Sequence, residues 1–169
     1  LLGESDLLPA LSDRTDGLRE HAVRLSRPFL EKSPRIKAMV YSMVDDPSVF
    51  VRCQVAFALG EVMSNDAISP LKKLAMKDGS DRWMQTAILS SCYKHGAALL
   101  VDFLKDSDVA SGKDASLSAF LARLAASSSQ NADRKTSLEL ISTVLGSKLP
   151  AGTKNALVEG VLSSLVGRS

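Results

Sequence analysis

The run Asp46-Pro47-Ser48-Val49-Phe50-Val51-Arg52-Cys53-Gln54-Val55-Ala56-Phe57-Ala58-Leu59-Gly60 decides how this chain is read. In it and just beyond, Val51, Val55, Ala58, Leu59 and Val62 recur at three- and four-residue steps, the stripe of an amphipathic helix and not the alternation of a strand. The spacing predicts a helix of about four turns over 47–63, with Arg52, Gln54 and Glu61 on its opposite side. Asp46-Pro47 supplies the start signal: a carboxylate accepts from free first-turn N–H groups and proline presets φ. Asn65-Asp66 marks a turn, and a second helix is expected from about Ala67 to Lys77 with Ile68, Leu71, Leu74 and Ala75 inward. It closes at Asp78-Gly79, where glycine is expected to take the left-handed conformation.

Working outward, the same hairpin recurs. A shift of 33 residues places Leu18 on Val51 and Met84, Arg19 on Arg52 and Gln85, Ala22 on Val55 and Ile88, and Asp13 on Asp46. The second helices follow at nearly the same step: Ile36, Met39 and Met43 match Ile68, Leu71 and Ala75, then Leu100 and Phe103. Three helix pairs, near 13–44, 46–77 and 79–105, are read as copies of one unit. A lone hairpin of this size cannot cover both of its apolar stripes, so stacked copies imply an all-α fold, an α-solenoid in which each hairpin covers its neighbour.

The Asp-Pro followed by Val-Arg and then small and apolar residues resembles the HEAT repeat. That resemblance implies a right-handed superhelix and a hydrogen-bonded Asp–Arg ladder between successive repeats. Asp13 with Arg19 and Asp46 with Arg52 match it; Gln85 departs from it, so the ladder is expected to weaken at the third unit.

After Asp108 the period fades while helical spacing continues. Leu117, Phe120, Leu121 and Leu124 form one stripe, Leu138, Ile141, Val144 and Leu145 a second, and Leu157, Val161, Leu162 and Leu165 a third. These are read as degenerate closing helices over 112–167, with loops at Ser127-Ser128-Ser129-Gln130-Asn131 and Lys148-Leu149-Pro150-Ala151-Gly152. Glu4 to Leu11 reads as a short helix left from a preceding unit. The start at Leu1-Leu2-Gly3, without methionine or leader, reads as a fragment of a longer protein.

Composition narrows the function. The 169 residues are 45% hydrophobic and 24% charged, with 21 Lys and Arg against 19 Asp and Glu. A net charge of +2 is too small for the electrostatic footprint of a dedicated nucleic-acid binder. No uninterrupted apolar run approaches a membrane span. Two cysteines, Cys53 and Cys92, cannot build a disulfide framework or a four-cysteine metal site. Cys92-x-x-His95 places two donors on one turn without the further pair that a metal needs, and Cys92 occupies the repeat position of Leu59, so it reads as core. Cys53 lies beside Arg52, whose charge would favour a thiolate, yet it has no neighbouring base. His21 and His95 read as structural. Phosphate-loop, dinucleotide and serine-hydrolase motifs are missing; Gly112-Lys113 has neither the preceding glycine nor the following hydroxyl. No catalytic, cofactor-binding or metal residues are assigned.

What remains is a surface. The second helices of a solenoid usually line its concave face, and their outward positions include Arg35, Lys37, Tyr41, Lys72, Lys73, Lys77 and Lys105, a mildly basic groove or a set of solvated lysines. Trp83, the single tryptophan, is either a binding anchor or packing between repeats.

Two blocks, Val51 to Glu61 and Asp81-Arg82-Trp83-Met84-Gln85-Thr86-Ala87-Ile88-Leu89-Ser90-Ser91, are together similar to the HEAT segment of planctomycete-type membrane-bound dehydrogenases, also called haem-binding proteins. The looser Phe120-Leu121-Ala122-Arg123-Leu124 and Leu157-Val158-Glu159-Gly160 stretches extend the likeness over about 13–167. It implies an exported, extracytoplasmic parent in which this segment joins a sugar-dehydrogenase-like propeller to a c-type cytochrome. No haem-attachment motif lies in this chain, so no cofactor is carried over. The expected function is a non-catalytic scaffold binding protein, either flanking domains of the parent or another partner. The alternative is a nucleic-acid-binding module with a basic concave face, with Tyr41 as its one evident stacking residue.

Overall fold

The computed structural model describes residues 2–106, 109, 115–130 and 132–166; the side chains of 115 and 164–166 are not described. The 112 boundary, Gly112-Lys113, Asp108, Asn131 and the side chain of Leu165 lie outside that set. The described residues form ten α-helices and no strand. In chain order they are α1 (Glu4–Leu11), α2 (Asp16–Ser26), α3 (Pro34–Ser42), α4 (Val49–Leu59), α5 (Ile68–Asp78), α6 (Arg82–Ser91), α7 (Gly96–Leu104), α8 (Ala115–Ser129), α9 (Arg134–Gly146) and α10 (Ala151–Val166).

The helices stand in two rows. First helices pack side by side in the order α2, α4, α6, α8, α10, and behind them run α1, α3, α5, α7 and α9. Second helices also meet the first helix that follows, as α1 meets α2, α5 meets α6, α7 meets α8 and α9 meets α10, and the turn Met43–Asp45 after α3 makes this contact with α4. The fold is an all-α solenoid, and its two rows continue past the last clear copy of the repeat.

One continuous core runs between the rows. Val51, Val55, Ala58, Leu59 and Val62 are buried, as their spacing requires. The second helices hold a tighter register than the sequence match: Ile36, Val40, Met43 and Val44 are buried in one hairpin, and Ala67, Leu71, Leu74 and Ala75 in the next. That is a step of 31 instead of 32, and Ile68 and Met39 are consequently only partly buried. Phe103 of α7 meets Phe120 of α8 edge to face, centroids 6.2 Å apart, carrying the core across the fading of the repeat. First helices approach closely at Gly60, where a Cβ would lie 2.8 Å from Ser91, and at Gly160, where it would lie 2.8 Å from the Ala122 carbonyl.

Several local expectations give way to competing interactions. α4 has three turns and its N-cap is Ser48; the Asp46 carboxylate instead accepts from the Ser48 N–H in a turn and from Arg19. Gly79 has φ of −67°, so α5 ends without a left-handed residue. Ser127 to Ser129 are helical: the Ser128 hydroxyl donates to Leu124 O at 2.6 Å and the Ser129 hydroxyl to Ala125 O at 2.8 Å, which keeps both polar groups satisfied inside α8. The inner face of α9 is Ser137, Leu140 and Val144, with Ile141 beside it, while Leu138 and Leu145 are exposed. Leu18 aligns with the buried Val51 and Met84 yet is 45% exposed, because only the short α1 precedes α2.

Arg52 is the most consequential correction, because it is buried and not on the open side of α4. Its Nε and Nη2 donate to the two carboxylate oxygens of Asp78 at 2.6 and 2.8 Å, and its Nη1 donates to the Asp46 and Pro47 carbonyls at 2.6 and 3.1 Å. Arg19 repeats the arrangement one hairpin earlier, with two bonds to Asp46 at 2.7 and 2.8 Å and a third nitrogen on the Asp13 and Arg14 carbonyls. Each arginine therefore grips a carboxylate at the junction with the next hairpin, Asp46 ahead of α4 and Asp78 at the end of α5, while the aspartate ahead of its own first helix contributes a backbone carbonyl. At the third level Gln85 donates to Gly79 O at 2.6 Å and accepts from Arg123 at 2.5 Å, a single bond where the others have two.

Burial pushes the Asp46 carboxyl up, but its bonds from Arg19 and Ser48 outweigh this and hold it below its ordinary value. Removing one member of such a pair strands its partner under the neighbouring hairpin. Arg52→Ala is expected to destabilise the protein by about 2 kcal/mol. Lys73→Ala, which breaks an exposed pair with Asp45, should leave the melting temperature nearly unchanged. Thermal melts of the two variants beside the parent check this.

Candidate functional site

The second-helix row carries the cations singled out in the sequence, and it places acids against them. Lys37 pairs with Asp66 at 2.7 Å, Lys72 with Asp102 at 3.0 Å and Asp106 at 3.1 Å, and Arg35 with Glu4 at 3.0 Å. Lys73 pairs with Asp45. Tyr41 donates to Asp66 at 3.2 Å, and burial, followed by that carboxylate, pushes its phenol up. Lys77 stands near Asp45 and helps to lower that carboxyl, after Lys73. The basic groove of the sequence reading is thus largely a row of charge pairs between successive hairpins: Lys37 and Lys72 take carboxylates of the following hairpin, and Arg35 and Lys73 take carboxylates of the preceding one. A concavity of about 430 Å³ lies in this row, lined by Ile68, Val101, Asp102, Lys105, Glu139 and Leu140 among others.

The first-helix row presents something different. Phe50 on α4 is 67% exposed and Trp83 on α6 is 76% exposed. They are 33 residues apart, equivalent positions of successive repeats, so they stand beside each other on adjacent parallel helices. Between and below them lies a groove of about 550 Å³, floored by Val49, Cys53 and Phe57 and edged by Glu20, Gln54, Asp81 and Thr86. Its floor is partly buried and packs on the core, so the groove is anchored to rigid helices. The Arg27 guanidinium lies 5.7 Å from the centre of the Phe57 ring at one end.

Polar groups at this groove are mostly acceptors. Asp81 caps α6, its Oδ1 accepting from the Met84 N–H at 2.8 Å. Gln54 Nε2 reaches Glu20 at 3.5 Å, while Gln54 Oε1 is buried without a hydrogen bond. Burial raises the Cys53 thiol, Asp81 and Asp78 raise it further, and Arg52 does not offset them. Cys53 is therefore a neutral thiol at neutral pH, the expected stabilisation by Arg52 being outweighed by burial and by the two carboxylates.

Cys92 and His95 are core. Cys92 is buried and its thiol is pushed up to about 12 by burial. His95 is buried, with Nε2 2.8 Å from Val62 O. His21 lies at the surface, its Nδ1 3.0 Å from Arg24. Among the described residues no group of three His, Cys, Asp or Glu is placed to hold a metal, and no helix is long and apolar enough to cross a membrane. Sequence reasoning singled out the second-helix row and, separately, Trp83; the signal that joins Trp83 to Phe50 is their recurrence at the repeat step.

Hydrogen bonds from Lys37 and Ser64, with one from Tyr41, lower the Asp66 carboxyl to about 2. A carboxyl lowered in the folded state stabilises it above the unfolded value of 3.8, and that contribution is lost as pH falls through the folded one. Asp66→Asn is therefore expected to flatten the acid limb of the stability curve between about pH 4 and pH 2. Urea melts across that range read the effect.

No curated protein matches this chain. The family model described as HEAT repeats matches residues 4–92, from α1 through the end of α6, the part in which arginines and carboxylates strap the hairpins together. That span is more than half of the chain, and the protein belongs to the HEAT-repeat family.

Proposed function

We propose that this chain is a non-catalytic scaffold that holds a protein partner on its first-helix row, in the groove between Phe50 and Trp83. HEAT repeats commonly serve as protein-interaction scaffolds. The observation that carries the reading is the pair of exposed aromatic rings at equivalent repeat positions over an apolar floor. Large rings left in water are the residues that anchor interfaces, because covering them returns more free energy per side chain than covering any other type. The second-helix row offers less to a nucleic acid, since Arg35, Lys37, Lys72 and Lys73 already have carboxylate partners. A photo-crosslinking amino acid placed at position 50 in the native host should join the chain to one discrete protein, and the same group at position 73 should not. Equal labelling from both positions, or none from position 50, would overturn this placement.

The wider setting, an exported parent joining a dehydrogenase module to a cytochrome, is supported by the likeness of the Val51 to Glu61 and Asp81 to Ser91 blocks. Haem staining and intact mass of the full-length native protein test it. Covalent haem and a processed N-terminus are expected; a haem-free, unprocessed protein rejects that parentage and leaves the scaffold reading in place.

A further inference from the structure

The groove that Phe50 and Trp83 flank is chemically one-sided. Its floor, Val49, Cys53 and Phe57, is apolar, with Cys53 a neutral thiol, and its charged edges are carboxylates, Glu20 from α2 and Asp81 at the start of α6. Gln54 adds an amide whose oxygen takes no hydrogen bond from the protein. No lysine or arginine lines it. Arg52 is held by its bonds to Asp78 and Arg27 lies over the Phe57 ring, while Arg82 is exposed beside Trp83 without lining the groove.

Neighbouring packed helices stand about 8–10 Å apart. Two rings mounted at equivalent positions on such helices bound a slot wide enough for one side chain between them. An apolar floor with carboxylate edges disfavours an anionic occupant, and a neutral one brings those edges no countercharge. A flat cation that stacks on rings while its N–H groups reach carboxylates satisfies both kinds of surface at once. Arg27 on Phe57 is the same contact made within the chain.

We infer that the occupant of this groove is an arginine-bearing apolar segment of a partner protein, its guanidinium against the rings of Phe50 and Trp83 and held by the carboxylate edges, Asp81 and Glu20, its flanking apolar side chains on Val49, Cys53 and Phe57. The inference rests on the scaffold reading above and adds the chemistry of the ligand.

Trp83 is the single tryptophan, so its emission reports the slot directly. The probes are three short peptides of alternating leucine with arginine, glutamine or glutamate. The arginine peptide should shift Trp83 emission saturably and more weakly as salt is raised. The glutamine peptide should bind about tenfold more weakly, the loss of one charge-assisted contact, and the glutamate peptide not at all. Glu20→Gln should weaken the arginine peptide about tenfold while leaving the glutamine peptide unchanged, with helicity confirming the fold. Equal binding of the arginine and glutamine peptides overturns the inference, as does an emission shift with protein concentration alone, which would make a second copy the occupant. Peptides that fail to bind while position 50 still crosslinks to a protein reject the arginine chemistry alone; failure of both experiments rejects the scaffold placement as well.

Discussion

A first helix in this fold has apolar side chains facing its own hairpin and apolar side chains facing along the stack, and no single hairpin can cover both. α4 illustrates it: Val51, Val55, Ala58 and Leu59 are all buried because α2 lies on one side, α6 on the other and α5 behind. Stability in such an array comes from interfaces between neighbours as much as from any unit. The guanidinium bridges sit at those interfaces, and so does the close approach at Gly60, which brings α4 and α6 together where a larger residue would hold them apart.

The same stacking explains why charge on the second-helix row is largely neutralised. Lys37 meets Asp66, Lys73 meets Asp45 and Lys72 meets Asp102 and Asp106, each pair joining successive hairpins. On the first-helix row the repeat instead carries Phe50 beside Trp83, both exposed among the described residues. One period thus produces a polar, self-paired row and an apolar, unpaired one.

The periodic spacing around Val51 made the hairpin and its stacking legible, since three- and four-residue steps have no other stable reading. The ladder arginines were legible as well, but not the direction of their bonds. Asp46 and Arg52 lie six residues apart and look like partners, whereas the side chain of Arg52 reaches forward to Asp78 and only a carbonyl of Asp46. Spacing along a chain cannot show which of two nearby carboxylates a long side chain selects. The helical serines of α8 were hidden for a related reason: their tendency to break a helix is cancelled by bonds to carbonyls one turn back, which depend on the helix already being there. Trp83 was legible as either a binding anchor or packing between repeats; its exposure beside Phe50 over an apolar floor depends on how the helices stack.

The change of rung at the third level has a mechanical consequence. Two-pronged bridges at Arg19 and Arg52 resist both separation and sliding of adjacent hairpins, because a fork on a carboxylate loses alignment under shear. At Gln85 a single bond to Arg123 replaces the fork and acts as a pivot. A load that twists or stretches the superhelix is therefore concentrated between α6 and α8, leaving the first hairpins to move as one stiff block with the Phe50 and Trp83 groove at its edge.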